Sequence, residues 1–209
     1  LLSRPEGHVV DVDIVTEGNN ICIKLEGSAT VSLYDAEGKL LESKEVIDGV
    51  FEAGVSENKT AAELYRKVVF TVENPVKWNA EFPYLYELVF QYKEEIFRQS
   101  VGFVEYGVNE RGAFTVNGVE VKLKGVNHHD THPTKGWSMS EEDIRKDLET
   151  MKFLNINTIR TSHYPPTPEF LNMCDEMGFY VIDETDIETH GYVRRTNISN
   201  DGYDVCDTV

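Results

Sequence analysis

The hydrophobic pattern of this chain changes period part-way along, and that change limits the available folds more than any single residue does. From Val9 to about Phe103 apolar residues recur at every second position: Val10, Val12 and Ile14 alternate with acids, Ile21, Ile23 and Leu25 with Cys, Lys and Glu, and Val31 and Leu33 repeat the habit before a turn at Asp35 to Gly38. Successive side chains of a strand point to opposite faces, so this pattern specifies short strands with one buried side. Further runs from Tyr65, Pro83 and Glu95 bring the total to roughly seven strands at sandwich-like spacing. An immunoglobulin-like β-sandwich is the economical fold for this half. Trp78 lies among turn residues and is expected to pack a loop.

The segment from Phe114 to Leu123 reads as a hairpin, because Asn117-Gly118 supplies the positive φ angles that a two-residue turn requires. Beyond it, strand patterns from Leu123, Thr158 and Phe179 alternate with two helical patterns, which predicts a β/α architecture with a parallel sheet. Ser140 with Asp143 three residues on resembles a capping pair, and Ile144, Leu148, Met151 and Leu154 form the apolar face of the first helix. Thr167 and Pro168 open the second helix and Gly178 closes it. Two domains are expected, 1–104 and 105–209.

Composition narrows the partners. The formal charge of −17 repels phosphate backbones and anionic headgroups, so neither nucleic acid nor a membrane surface is an expected partner. No apolar run approaches the ~20 residues that span a bilayer, and the N-terminus lacks the basic start and apolar core of a signal peptide, so a soluble, mature, cytoplasmic chain is expected. Cys22, Cys174 and Cys206 are scattered and odd in number, which fits neither a disulfide framework nor a thiolate zinc site. Two N-glycosylation patterns, at Asn58 and Asn197, are short enough to arise by chance.

Ligand-binding residues of β/α folds gather at the carboxyl ends of the strands. Here those ends hold Asn127, His128, His129 and Asp130; then Arg160, Ser162, His163 and Tyr164; then Asp183, Glu184, Asp186, Glu188 and His190. Strand ends are polar in any soluble protein. Arg160 tips the balance toward function, because an unpaired guanidinium inside an apolar strand is costly. His128 and His129 point to opposite faces of a strand, so at most one faces the rim, and a zinc site is disfavoured. Glu188 and His190 are two apart and can face one cation together, although a hard divalent ion needs further oxygens.

The run from Asn157 through Arg160, Thr161, Ser162, His163, Tyr164 and Pro165, with Phe170, Leu171, Asp175, Gly178 and the apolar Phe179 to Ile182, resembles the signature of the family 2 glycoside hydrolases, the β-galactosidase and β-glucuronidase group. Within that group, KGVNHHDTHP at Lys124 to Pro133 and DETDIETHG at Asp183 to Gly191 resemble the β-galactosidase branch, and Glu73 to Leu88 with Val101 to Phe103 resembles its immunoglobulin-like domain. The resemblance implies an immunoglobulin-like β-sandwich followed by about three β/α units of a TIM (β/α)8 barrel. It further implies that His129 and His163 contact galactosyl hydroxyls, that Arg160 organises the rim, and that Glu188 and His190 are ligands of an active-site Mg2+. A β-galactoside is then the substrate, and the parent protein a homo-oligomer.

Retaining glycosidases need two carboxyl groups about 5 Å apart, one as acid/base and one as nucleophile. In this family both lie on later barrel strands, the acid/base following an Asn; the sequence has no Asn-Glu pair after Val121, and Asn109-Glu110 precedes the barrel. Asp183 and Glu184 are adjacent on a strand and so face opposite ways, which makes them a poor substitute pair. The expectation is a piece of a β-galactosidase that carries part of the sugar and metal shell, contains no catalytic Glu and is inactive alone. The alternatives are a noncatalytic binding or assembly module, and a relative acting on another glycoside such as a β-glucuronide.

Overall fold

The structure is a computed structural model that describes residues 4, 6–47 and 66–186. It forms two compact units, Leu1–Lys122 with Asp175–Gly178, and Leu123–Cys174 with Phe179–Val209.

In the first unit the period-two segments become β1 (Asp11–Glu17), β2 (Asn20–Glu26), β3 (Ala29–Tyr34), β4 (Leu40–Val46), β5 (Arg66–Thr71), β6 (Tyr86–Tyr92) and β7 (Glu95–Val101). They form a three-stranded sheet, β1-β2-β5, and a four-stranded sheet, β4-β3-β6-β7, antiparallel throughout. The expected immunoglobulin-like sandwich is present. Its core takes alternate residues from each strand: Ile21, Ile23 and Leu25 from β2, Val31 and Leu33 from β3, Phe70 from β5, and Leu88 and Phe90 from β6. Each such side chain contributes about 1.5–3 kcal/mol when removed from water, which explains why alternation sets the register. Phe90 stacks on Phe97 at 4.5 Å, and Tyr86 meets Phe103 edge-on at 5.2 Å.

At the start of β1 the parity departs from expectation, since Val9 is buried and Val10 exposed. Gly27 explains the shift: at φ +113° it lets the chain pass so close that a Cβ would sit 2.2 Å from the His8 carbonyl oxygen. Val10 then donates its N–H to Glu26 O at 2.8 Å, one residue ahead of the regular ladder.

The first unit continues past residue 104 into a third, small sheet, β8 (Tyr106–Val108), β9 (Phe114–Val116) and β10 (Val119–Glu120), ordered β10-β9-β8. Asn117 and Gly118 adopt φ 52° and 79° at the turn, as their identities require. The sequence pattern did not signal β8. Asn117 fastens the hairpin to the unit, donating through Nδ2 to Trp78 O and through its backbone N–H to Glu105 O. Trp78 is buried, and its indole N–H donates to Asp175 O at 2.8 Å.

Burial, reinforced by the neighbouring Glu176 charge, raises the Asp175 carboxyl to about 6. A folded value above the unfolded one means that the fold favours the neutral acid, so stability should fall as pH rises from about 4 to about 6 and then level off. Because the group is only partly shielded, the drop should be about 1–2 kcal/mol. Asp175→Asn should flatten that slope in urea melts across the window, and an unaltered slope would assign the titration elsewhere.

The second unit alternates β11 (Gly125–His128), α1 (Glu141–Phe153), β12 (Thr158–Thr161), α2 (Pro168–Met177), whose last residues from Asp175 on group with the first unit, and β13 (Tyr180–Ile182). The strands are parallel in the order β11-β12-β13, the arrangement expected for the start of a TIM barrel. Asn157 gathers their starts. Its side-chain oxygen accepts from Lys124 N at 2.7 Å, its own N–H donates to Lys124 O, and its carbonyl accepts from Tyr180 N. Ser140 and Asp143 form the reciprocal capping box of α1. Ile144 and Leu148 are buried, but Leu154 is 61% exposed because it is already the C-cap, where the helical period no longer fixes its direction. Thr167 Oγ1 accepts from Phe170 N at the head of α2, and Gly178, at φ 78°, ends it. No helix among the described residues is long and apolar enough to cross a membrane.

Candidate active-site rim

At the carboxyl ends of the parallel strands, polar side chains tie neighbouring segments together. Thr161 Oγ1 accepts from Glu184 N at 3.0 Å and donates to Asp183 Oδ1 at 3.3 Å, drawing the chain after β13 toward β12. Tyr164 Oη accepts from Asp130 N at 3.0 Å and does the same between β12 and the chain after β11. The Ser162-His163 peptide bond is cis, and the buried Ser162 donates its N–H to His128 O.

Strand alternation separates the two adjacent histidines. His128 is buried, stacked on Phe170 at 5.1 Å, with Asp130 3.7 Å from Nδ1 and Asp147 3.6 Å from Nε2, beyond hydrogen-bond reach. His129 is exposed and meets the His163 ring edge-on at 5.6 Å and the Tyr164 ring at 6.0 Å. The two histidines expected to act together are therefore neighbours at the ends of adjacent strands.

Arg160 sits in register with Asn127 on β11 and Ile182 on β13. Its guanidinium donates to Glu184 Oε1 at 2.7 Å and to Asn127 Oδ1 at 3.2 Å. This answers the cost of a cation in an apolar strand: the carboxylate comes from the next strand end. The other Glu184 oxygen, Oε2, is buried without a hydrogen bond and lies 3.7 Å from His163 Nδ1. One carboxylate thus holds Arg160 and faces His163. Asp183 is exposed and turned toward Thr161, so the adjacent acids diverge as alternation requires.

Two features had no assigned role in the sequence. Glu184 could have been paired with Arg160 from the requirement for a counter-charge alone. Trp137, stacked on Tyr164 at 6.3 Å and 27°, had only the weak signal of an aromatic residue in a polar loop. Near it, Lys135 Nζ donates to Asp143 Oδ2 at 2.6 Å. That bond, and then the N–H and hydroxyl of Ser140, hold the Asp143 carboxyl well below the usual carboxylate range.

Glu188 and His190 lie outside the described residues. Among the described residues no group of three or more His, Cys, Asp or Glu is placed to hold a metal ion. The oxygen-rich set that Mg2+ requires is therefore not assembled by them, and no step is assigned to the ion.

The first unit and the second match different parts of one family. Residues 7–103 match the model described as glycosyl hydrolases family 2, and residues 108–208 match its TIM barrel domain. The chain is 47% identical over 125 residues to a β-galactosidase of Staphylococcus xylosus, covering 60% of this chain and 12% of that protein. It is 35% identical over 181 residues to a β-galactosidase of Vibrio cholerae, covering 82% and 17%, and 32% identical over 222 residues to one from Alteromonas mediterranea, covering 96% and 21%. It therefore spans about a fifth or less of these relatives' lengths. Among solved structures it resembles the Faecalibacterium prausnitzii β-glucuronidase, with a TM-score of 0.70 at 24% identity over 87% of this chain and 28% of that one. A Parabacteroides merdae β-glucuronidase gives 0.65 at 26% identity over 84% and 23%. With a sandwich and the opening of a parallel barrel in sequence, and family models that match both, the chain belongs to the family 2 glycosyl hydrolases.

Proposed function

We propose that this chain is part of a retaining β-galactosidase and supplies one wall of its sugar site. The supporting observation is the juxtaposition of His129 and His163, 5.6 Å apart at the ends of adjacent parallel strands, with Glu184 behind His163. A neutral imidazole both donates and accepts, so two of them can bind neighbouring hydroxyls of a pyranose. Hydrogen bonds that tighten as the ring flattens toward an oxocarbenium ion lower the barrier and not only the dissociation constant. Arg160 and Glu184 keep this wall in shape. Glu188 and His190 are the residues that would contact Mg2+, which would supply a fixed positive charge beside the sugar. The acid/base and nucleophile come from carboxylates outside this chain, since Glu184 is committed to Arg160.

A galactoside is favoured over a glucuronide. The relatives 32–47% identical to this chain are β-galactosidases, which supports this choice. The acidic net charge favours neutral sugars in the same sense, and opposes nucleic-acid or membrane partners. A homo-oligomeric, cytoplasmic parent completes the proposal.

The chain alone is expected to hydrolyse a chromogenic β-galactoside no faster than a mock purification. The longer protein containing it should hydrolyse the same substrate with retention, and His129→Ala or His163→Ala should lower its kcat/KM about 10²–10³-fold. Turnover by the 209-residue chain would refute the missing carboxylates, and preference for glucuronides would refute the galactosyl assignment.

A further inference from the structure

His128 is the one buried histidine among the described residues, only 8% exposed, and the proposed sugar wall gives it no task. Its surroundings are unusual for a side chain that merely fills space. One face of the ring lies on Phe170 at 28° and 5.1 Å. Each ring nitrogen faces a carboxylate: Asp130 Oδ1 is 3.7 Å from Nδ1 and Asp147 Oδ2 is 3.6 Å from Nε2, and Nε2 is buried without a hydrogen bond. A neutral imidazole carries one N–H and one lone pair, so either tautomer turns a lone pair toward an anion. The imidazolium alone offers an N–H to both acids. A small inward movement of each carboxylate then converts the two contacts into charge-assisted hydrogen bonds.

The main chain of His128 has an equally particular place. It ends β11, and its carbonyl accepts from both the N–H and the hydroxyl of Ser162, at 3.1 and 3.4 Å. His129 follows His128 in the chain, and His163 follows Ser162. The peptide unit that carries the His128 ring therefore links the two residues of the sugar wall, whose own rings meet at 5.6 Å. The ring in turn is referenced to three segments. Asp147 belongs to the middle of α1 and Phe170 to the first turn of α2, while Asp130 lies on the chain after β11, where its N–H is held by Tyr164 Oη. Both helices bear on the wall through one side chain.

We infer that His128 is a positioning residue of the sugar site: held as a cation between Asp130 and Asp147, it sets the spacing of His129 and His163. The inference rests on the glycosidase reading of those two histidines. His128 itself touches no substrate. A neutral replacement of similar size leaves the two carboxylates facing a group without counter-charge, and Asp147, 45% exposed, turns to water instead. Stacking on Phe170 alone then fixes the side chain, and the carbonyl shared with Ser162 shifts with it. Misplacing catalytic contacts by about 1 Å costs about 10²-fold in rate, so a displacement of a few tenths of that is measurable. Arginine is the substitute that keeps the arrangement, because its planar guanidinium stacks on an aromatic ring and offers N–H groups to two carboxylates at once.

The test measures kcat and KM for a chromogenic β-galactoside in the longer protein. His128→Gln should lower kcat about tenfold and alter KM less than about threefold, because bonds that tighten in the transition state are the ones most sensitive to spacing. His128→Arg should keep kcat within about threefold of wild type. Asp147→Asn, at a half-exposed helix position, should lower kcat severalfold with the fold intact, and combining it with His128→Gln should add no further loss. Equal rates for the Gln and Arg variants, or losses that multiply in the double variant, overturn the inference and leave the galactosidase reading standing. Should His128→Gln fail to fold, the other two variants decide: wild-type kcat in Asp147→Asn, or a loss of about tenfold in His128→Arg, overturns it. If the wild-type protein cleaves no β-galactoside, that reading fails. The positioning role is then judged by the rates at which diethyl pyrocarbonate modifies His129 and His163, followed by peptide mass spectrometry. The ratio of the two rates should shift about threefold in His128→Gln and hold in His128→Arg, and one ratio in all three proteins overturns the role.

Discussion

Phe170→Ala is expected to cost the second unit about 3–5 kcal/mol, which would leave its parallel sheet largely unfolded under mild conditions. Phe170 is fully buried, in the first turn of α2, where its N–H bonds to Thr167. Its ring is the surface on which His128 rests at 5.1 Å, so truncation removes both the helix anchor and the floor beneath the strand end that presents His129. The cavity cannot close cheaply, since Ile159 and Leu148 are themselves fully buried on rigid elements. A urea melt followed by far-ultraviolet circular dichroism measures the loss. A change below about 1 kcal/mol would show that α2 collapses into the space and that the helix is less fixed than its packing implies.

Glu184→Ala in the longer protein should lower kcat/KM toward β-galactosides about 10²-fold, by disordering the sugar wall proposed above. Removing it releases Arg160 from its 2.7 Å partner and exposes His163 Nδ1 to whatever replaces the carboxylate. Glu184→Gln should recover part of the rate, because an amide oxygen can still accept from Arg160 but lacks the charge that faces His163. The pair is about a third exposed, so its own coupling energy should be only about 1 kcal/mol in a double-mutant cycle with Arg160→Ala. The expected signature is a large rate effect with a small stability effect. Equal losses in both would mean that Glu184 merely supports folding, and additive rate effects for the two substitutions would mean that it does not orient Arg160.

The sandwich was readable because its information is local: alternation at Ile21, Ile23 and Leu25 or at Leu88 and Phe90 states directly which side chains are buried. The helix caps were readable for the same reason, with Ser140, Asp143 and Gly178 each acting within a few residues of its neighbours. Strand ends were less so. There Thr161 and Tyr164 accept from Glu184 N and Asp130 N on other segments, which no local pattern encodes. Leu154 shows the converse limit, since its spacing matched the apolar face but the helix had already ended. At the rim, His129, His163 and Arg160 stood out by type and motif, while the partner of Arg160 required the parallel register that brings Glu184 alongside it. The exposure of Trp137 is visible only in three dimensions.

The Asn117-Gly118 turn also bears on how the molecule ages. An Asn followed by Gly is prone to deamidation, because the small, flexible successor lets its backbone nitrogen attack the side-chain carbonyl and close a succinimide. Here that carbonyl oxygen accepts from Glu105 N at 3.0 Å and the amide nitrogen donates to Trp78 O at 2.9 Å, so the group is held at both ends and cannot swing toward Gly118. Chemical damage at this turn is thereby tied to loss of tertiary structure. An isoaspartate at Asn117 would record that a molecule had unfolded, and its absence after long storage that it had not.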